Sequence, residues 1–304
     1  MADRQPVYLL DASIYIFRNY FAMPDAWHND QGYSLNAVFG YTQFLLRMLE
    51  QLRPQRIVAA FDESLGQCFR NDIYSEYKSS RALPDESLAF QLKACRRVSE
   101  LVGIQCYAHS RYEADDLIAT IARQMRRSGR PICIISRDKD LAQLLKYPGD
   151  CLWEIVDDVR HDADAITEKF GVSPAQMIDY QSLVGDPVDD VPGVPGIGAK
   201  TASKLLQHFG SVDELLSRLT ELDSKHWRGG KRLAAVLNAH QEHIYLARDL
   251  VKLEDQIPMR VSANDLAWQP AARKTLMRYL EHIGLSGRIQ RTVLRSPVMS
   301  GDPV

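Results

Sequence analysis

Five short apolar runs rich in β-branched residues punctuate the first half of the chain: VYLL (7–10), RIVAAF (56–61), IQCY (104–107), ICIIS (132–136) and CLWEIV (151–156). Runs this short, bounded by polar or turn-forming residues, read as strands buried on both faces. Between them, residues 36–52, 85–102 and 114–127 repeat apolar side chains at helical spacing. Strands alternating with helices predict an α/β fold with a doubly wound, mostly parallel sheet flanked by helices. Past about residue 165 the strand signal fades. VSPAQMIDYQSLVG, GAKTASKLLQHFG, SVDELLSRL and RGGKRLAAVLNAHQEHIYLARDLV then read as helices. The expected division is an α/β domain over 1–173, a helical domain over 174–290 and a loose tail over 291–304.

At 304 residues, with 45% hydrophobic and 25% charged side chains, the chain suffices for one large core or two smaller ones. No apolar run nears the roughly 18–20 residues of a membrane-spanning helix. The opening MADRQPVYLLDAS reaches Asp11 too soon for a secretory leader. The cysteines at 68, 95, 106, 133 and 151 form no C-x-x-C pair, which predicts reduced, buried thiols in a cytoplasmic protein. A formal charge of −2 argues against a nucleic-acid binder, unless the acids are gathered in one place and leave a basic remainder.

The acids are gathered. In an open α/β sheet the ligand crevice lies beyond the carboxyl ends of the strands. Asp11 follows VYLL, Asp62 follows RIVAAF, Glu113, Asp115 and Asp116 follow IQCY after a short loop, and Asp138 and Asp140 follow ICIIS. LVGDPVDD adds Asp186, Asp189 and Asp190 where the helical half opens. A single Asp after a strand caps a helix or starts a turn. Asp115 and Asp116 also suit the first turn of a helix whose last turn carries Arg126 and Arg127. Convergence of several such segments asks for more, because unpaired carboxylates raise one another's pKa and destabilise the fold. Cations remove that penalty. An all-oxygen set without His or Cys suits a hard ion, Mg²⁺ or Mn²⁺. So many carboxylates suit two ions about 4 Å apart, a pair fitted to phosphodiester hydrolysis.

Two further stretches carry candidate chemistry. VPGVPGIGAKTASKLL (191–206) nearly fits a phosphate-binding P-loop, but Ala199 stands where that loop needs Lys. A turn with Gly193, Gly196 and Gly198 followed by Lys200 and Thr201 better fits a helix–hairpin–helix element, whose backbone N–H groups grip phosphates whatever the base sequence. A purely structural turn is the alternative. CFRNDIYSEYKSSRALP (68–84) interleaves Arg70, Lys78 and Arg81 with Phe69, Tyr74 and Tyr77. Cations among aromatics suit single-stranded nucleic acid; a solvated helix face is the plainer reading.

Six ordered blocks resemble the 5′→3′ exonuclease and flap endonuclease family, especially the nuclease domain at the N-terminus of bacterial DNA polymerase I. They are LLDASIYIFRNYFAMP, AAFDESLGQCFRNDIYSEYKSSRALP, YEADDLIATIA, SRDKDLAQLL, EKFGVSPAQMIDYQSLVGDPVDDVPGVPGIGAKTASKLL and FGSVDELL. The resemblance implies a PIN-like nuclease core followed by a helix–three-turn–helix DNA-binding region. It places Asp11, Asp62, Glu113, Asp115 and Asp116 in a first metal cluster and Asp138, Asp140, Asp186 and Asp189 in a second. It sets Lys78 and Arg81 on a basic arch (about 65–93) over the site, and makes Arg70 and Arg18 phosphate contacts. The hairpin would hold duplex DNA and a K⁺ ion. The partners implied are 5′-flap, nicked or branched DNA, or an RNA–DNA hybrid, met by a monomer, with polymerase and ligase acting separately. The rival readings are a branched-DNA binding module with weak or lost activity, and a PIN-type ribonuclease. Two departures stand out: Asp190 replaces the family's Asn, and Arg137 replaces its Gly beside Asp138.

Overall fold

Leu9 and Leu10, neighbours on one strand, are both wholly buried, one in each of the two hydrophobic layers that sandwich the sheet. The computed structural model describes residues 5–64, 67–127, 129–223, 227, 229–270 and 272–299. Strands β1 (Val7–Asp11), β2 (Ile57–Asp62), β3 (Gln105–His109), β4 (Ile132–Ile135), β5 (Cys151–Glu154) and β6 (Val159–His161) form one sheet in the order β3-β2-β1-β4-β5-β6. All pairings are parallel except that of β6, which turns back along β5. The expected strands are all present. The sequence reading has no β6, whose three residues lie largely exposed at the edge after a turn at Asp158.

The helices are α1 (Ala12–Ala22), α2 (Asn36–Leu52), α3 (Phe69–Ile73), α4 (Glu86–Leu101), α5 (Ala114–Arg126), α6 (Ala163–Phe170), α7 (Met177–Val184), α8 (Ala199–Phe209), α9 (Val212–Ser217), α10 (Gly230–Ala239), α11 (Gln241–Val251), α12 (Arg273–His282) and α13 (Arg288–Arg295). The strands alternate their burial. Val7, Leu9, Val58, Ile132 and Ile134 face α5 and the helical half, while Leu10, Ile57, Phe61, Cys133 and Ile135 face α1, α2 and α4. α5 forms as expected, between an N-terminal capping box of Glu113 and Asp116 and Arg123 and Arg126 in its last turn.

Two expectations fail at the C-terminal end. The helical domain does not run unbroken to 290, and the described part of the expected tail, 291–299, is not loose. The chain returns beneath the sheet after α11: Arg56 Nε donates to the Ala263 carbonyl, Ile57 N–H to Leu266 and Trp268 N–H to Gln55. Leu276, Leu280, Ile289, Val293, Val298 and Met299 then pack into the layer of α2 and α4. Burying these side chains stabilises the return by roughly 1.5–3 kcal/mol each. Residues 300–304 of the expected tail lie outside the described residues.

Candidate active site

Asp11 ends β1 and Asp62 ends β2; Glu113 caps α5 after β3; Asp138 and Asp140 follow β4. Neighbouring strands β1 and β4 are where the winding of the sheet reverses, the switch point at which such folds open a crevice. Ser136 ties the two edges together: its hydroxyl donates to Asp11 Oδ2 at 2.8 Å and accepts the Asp138 N–H at 3.0 Å. The helical half contributes Asp186 and Asp189 from the loop after α7. That loop is fixed by a pair of bonds between Asp186 and Val191 and by the Val194 N–H on the Leu183 carbonyl. Glu113, Asp115, Asp140, Asp186 and Asp189 line one crevice, and Asp62, Lys78, Arg81 and Glu113 line a cavity of about 100 Å³ beside it.

The crowding shows in the acidities. Burial, with Asp138 and Asp62 adding to it, pushes Asp11 up to about 7. Burial and Asp138 likewise push Asp140 up to about 7. Asp115 is raised well above the usual carboxylate range by burial and then by Asp138, Asp11 and Asp140, with Lys78 opposing. Asp62 and Asp138 are also raised, chiefly by burial. Glu113 goes the other way. Burial would raise it, but Lys78, Arg70 and the Tyr77 hydroxyl outweigh that and hold it low.

Cationic side chains lie among the acids. Lys78 pairs with Glu113 and, at 3.5 Å, with Asp189; Arg81 pairs with Asp189; Lys139 pairs with Asp186 and, at 3.6 Å, with Asp140. Among the described residues no three acids already close around a common ion position. The donor chemistry nonetheless fits a hard divalent cation: oxygen ligands only, with Asp11, Asp115 and Asp140 raised by burial and then by the neighbouring Asp138 carboxylate, a rise that added positive charge would relieve.

The structure brings together every expected ligand except Asp116. That residue is wholly buried. Its carboxylate accepts from Arg70 Nη2 at 2.7 Å and Nη1 at 2.8 Å, and from the backbone N–H groups of Glu254 and Glu113. With these bonds made, it faces the protein and not the crevice. Arg70 is the matching correction. It is 1% exposed, and its donors all end on protein: Glu113, Asp116 and the carbonyls of Leu250 and Lys252. It orients the acids instead of contacting phosphate.

The basic segment also differs from the expected arch. Of residues 65–93, Leu65 and Gly66 lie outside the described residues, α3 is short, and α4 is packed into the core. Tyr77 does not offer a stacking face to solvent. It is buried, and its hydroxyl donates to Glu113 Oε2 at 2.9 Å. Lys78 sits at a φ of +54°, a conformation uncommon for lysine, pinned by its N–H on the Asp189 carbonyl at 3.0 Å. Arg137 turns away from the acids toward Glu154 and Asp157.

The remaining expected contacts scatter. Arg18 lies two turns along α1, roughly 10 Å of helix beyond Asp11, in a cavity of about 400 Å³ shared with Arg47. Gly193 serves packing, since a Cβ there would meet the Val184 carbonyl oxygen at 2.2 Å. Gly196 needs its φ of +81°, whereas Gly198, the residue before α8, has an ordinary φ and open space around a Cβ. Lys200, exposed, and Thr201, half-buried, follow in the first turn of α8. Sequence reasoning missed Ser136, Lys139, Gln181 (which donates to Asp140) and the buried role of Tyr77. Only Ser136 and Lys139 had a signal, from their places in SRDKD.

Comparison with known proteins agrees with this arrangement. Residues 6–171 match the family description 5′-3′ exonuclease, N-terminal resolvase-like domain, and residues 172–274 match 5′-3′ exonuclease, C-terminal SAM fold. The chain is 34% identical over 260 residues to a 5′-3′ exonuclease of Aquifex aeolicus, covering 86% of each protein. It is 36% identical to DNA polymerase I of Rhizobium leguminosarum over 90% of its own length, but spans 27% of that protein. With DNA polymerase I of Bacillus subtilis the figures are 32%, 96% and 32%. The chain thus spans a third or less of these polymerases. Among solved structures it resembles T5 5′-exonuclease with bound divalent metal ions (zinc), with a TM-score of 0.66 at 19% identity over 95% of this chain and 98% of that one. It also resembles the catalytic core of Rad2 in complex with DNA substrate, with a TM-score of 0.65 at 15% identity over 97% and 93%. At such identities the likeness establishes the fold. The sequence matches cover both halves of that fold, and the chain belongs to the 5′-3′ exonuclease family.

Proposed function

We propose that this chain is a metal-dependent, structure-specific 5′ nuclease that hydrolyses phosphodiester bonds at 5′ ends or 5′ flaps of DNA during replication or repair. The observation that carries this reading is the crowding of carboxylates from four strand ends and one helical loop, with Lys78 and Arg81 facing them. Asp11, Asp62, Glu113 and Asp115 would hold one Mg²⁺ or Mn²⁺; Asp138, Asp140, Asp186 and Asp189 would hold another. Asp115, whose acidic neighbours come from both sets, lies where the two would meet. Divalent cations bound there supply charge neutralisation and an activated water for in-line attack.

The chain's own residues do the rest. Lys78 and Arg81 reach the acids on long side chains, and a phosphate offers them the same charge-assisted bonds a carboxylate does. They therefore hold the scissile phosphate over the crevice. The open space beside Gly198 at the start of α8 suits close approach of a duplex phosphate, with Lys200 and Thr201 flanking. Nothing inside the fold demands glycine at 198, which favours an external reason for it. A K⁺ ion on the hairpin carbonyls belongs to the same reading.

The test is digestion of end-labelled 5′-flap, nicked and blunt duplexes, with Mg²⁺ and with excess chelator. Cleavage from the 5′ side that stops in chelator is expected. Undiminished hydrolysis in chelator would overturn the metal reading. Tight flap binding without cleavage in either Mg²⁺ or Mn²⁺ would instead leave a branched-DNA binding module.

A further inference from the structure

Cys133 on β4 and Cys151 on β5 are register partners in adjacent parallel strands, and both thiols are free. Their sulfurs lie 3.2 Å apart. In-register residues of neighbouring strands point to the same face about 4.8 Å apart at the backbone, inside the 4.4–6.8 Å window a disulfide accepts. The other cysteines lack such a partner: Cys68 bonds Asn71, and Cys106 approaches the carbonyls of Arg96 and Ile104. Cys133 is buried, while Cys151 is partly open to solvent. The hydrogen bond with Cys133, and after it the Arg160 guanidinium stacked 3.8 Å over the Trp153 ring, lower the Cys151 thiol, whereas the same bond and burial hold Cys133 well up.

We propose that Cys133 and Cys151 form a reversible oxidation site that closes to a disulfide with hydrogen peroxide and slows DNA cleavage. The Cys151 sulfur attacks one peroxide oxygen; the O–O bond breaks, an S–O bond forms, and the departing hydroxide takes up the thiol proton as water. The Cys133 sulfur then attacks the sulfenic sulfur. The S–S bond forms as the S–O bond breaks, and the second hydroxide leaves as water with the Cys133 proton. Two thiols lose two electrons and two protons, and one peroxide becomes two waters.

The consequence for cleavage follows from where β4 leads. Three residues past Cys133, Ser136 bonds Asp11 and the Asp138 backbone, and Asp138 in turn accepts the Asp140 N–H at 2.9 Å. A disulfide favours Cα atoms about 5.5–6 Å apart, whereas paired strands hold them about 4.8 Å apart. Closing the sulfurs from 3.2 Å therefore presses β4 and β5 apart by up to roughly an ångström at the root of that chain. A misplacement of this size at reacting groups can slow an enzyme by about a hundredfold. This step rests on the proposed nuclease reading, whereas formation of the disulfide does not.

The test uses the full chain, titrated with hydrogen peroxide and then quenched. The expected result is a mass loss of about 2 Da, a fall in titratable thiols from five to three, and a cross-link between the peptides carrying Cys133 and Cys151. Single-turnover flap cleavage in Mg²⁺ should fall at least tenfold and recover with dithiothreitol. Cys151→Ser should abolish both the cross-link and the dithiothreitol-reversible loss of rate. If that variant folds poorly, Cys133→Ser provides the same comparison. Oxidation that adds oxygen at Cys151 without the cross-link overturns the proposal, as does a formed disulfide with an unchanged cleavage rate. If the reduced parent cuts no DNA at all, the nuclease reading fails first, and the mass and thiol counts still judge the disulfide.

Discussion

Replacing Arg70 should expose how the acids are held in place. Its guanidinium has five N–H donors, and five acceptors meet them: Glu113 Oε2 at 3.0 Å, both oxygens of Asp116 at 2.8 and 2.7 Å, and the carbonyls of Leu250 at 2.7 Å and Lys252 at 3.0 Å. Arg70→Lys keeps the charge but offers three donors, so at least two of those acceptors lose their partner in a dry setting. Each buried acceptor left unmet costs about 1–3 kcal/mol, and some relaxation will recover part of it. A loss of roughly 2–4 kcal/mol is expected. Arg70→Ala removes the charge as well and leaves Asp116, wholly buried, without its cation; roughly 3–5 kcal/mol is expected.

Equilibrium urea unfolding of the parent, both variants, Asp116→Ala and the Arg70→Ala, Asp116→Ala double variant would measure these terms. The double variant should lose less than the sum of the single changes by at least about 1 kcal/mol, because the second substitution removes a group the first has already stranded. The opposite pattern would refute the reasoning. If Arg70→Lys unfolded within about 0.5 kcal/mol of the parent while single-turnover cleavage collapsed, Arg70 would be a substrate contact and the clamp would be wrong.

Other outcomes follow from the same geometry. Lys78→Ala and Arg81→Ala should slow single-turnover cleavage by more than tenfold while leaving duplex affinity within about threefold; equal losses of rate and affinity would make them general DNA contacts. Asp62→Ala should lower turnover by several orders of magnitude with folding intact, judged by circular dichroism and single-turnover rates. At the hairpin, Gly193→Ala should lower Tm, since its new methyl would press on the Val184 carbonyl, whereas Gly198→Val should leave Tm nearly unchanged and weaken duplex binding in Ca²⁺. Duplex affinity unchanged in Gly198→Val would reduce the hairpin to a turn.

The sheet was legible because its strands are buried on both faces, so uninterrupted apolar runs betray them. The acids after β1, β2, β3 and β4 were legible for a related reason, since they sit at or soon after the residue where such a run stops. Asp186 and Asp189 were flagged instead by the acidic loop LVGDPVDD that opens the helical half. The return of the chain over 255–299 was not legible. Its apolar residues, such as Leu276 and Leu280, read equally well as the inner face of a helical domain. Which surface a helix covers is decided by tertiary packing that periodicity does not encode. Asp116 shows the same limit within one helical turn. The spacing of Glu113, Asp115 and Asp116 allows all three to face a metal, yet the last is drawn inward by a buried arginine more than forty residues earlier in the chain.

Asp190 joins the two parts of the site in a way the sequence could only flag. Its φ of +55° lies in the left-handed region that Asn and Asp tolerate better than most residues, so the acid keeps the turn that an amide would make. Its carboxylate accepts the Ser80 N–H at 2.9 Å, while the adjacent Asp189 carbonyl accepts the Lys78 N–H and the Val188 carbonyl accepts from Arg81 Nε at 3.3 Å. The basic segment is thus stitched by its backbone to the same loop that carries Asp186 and Asp189. A charged acceptor makes the stronger bond to a backbone N–H, so the acid at 190 tightens this stitch and leaves the ligand positions untouched. The two segments that would grip phosphate and hold a cation, about a hundred residues apart in the chain, are therefore joined by hydrogen bonds that fix one against the other.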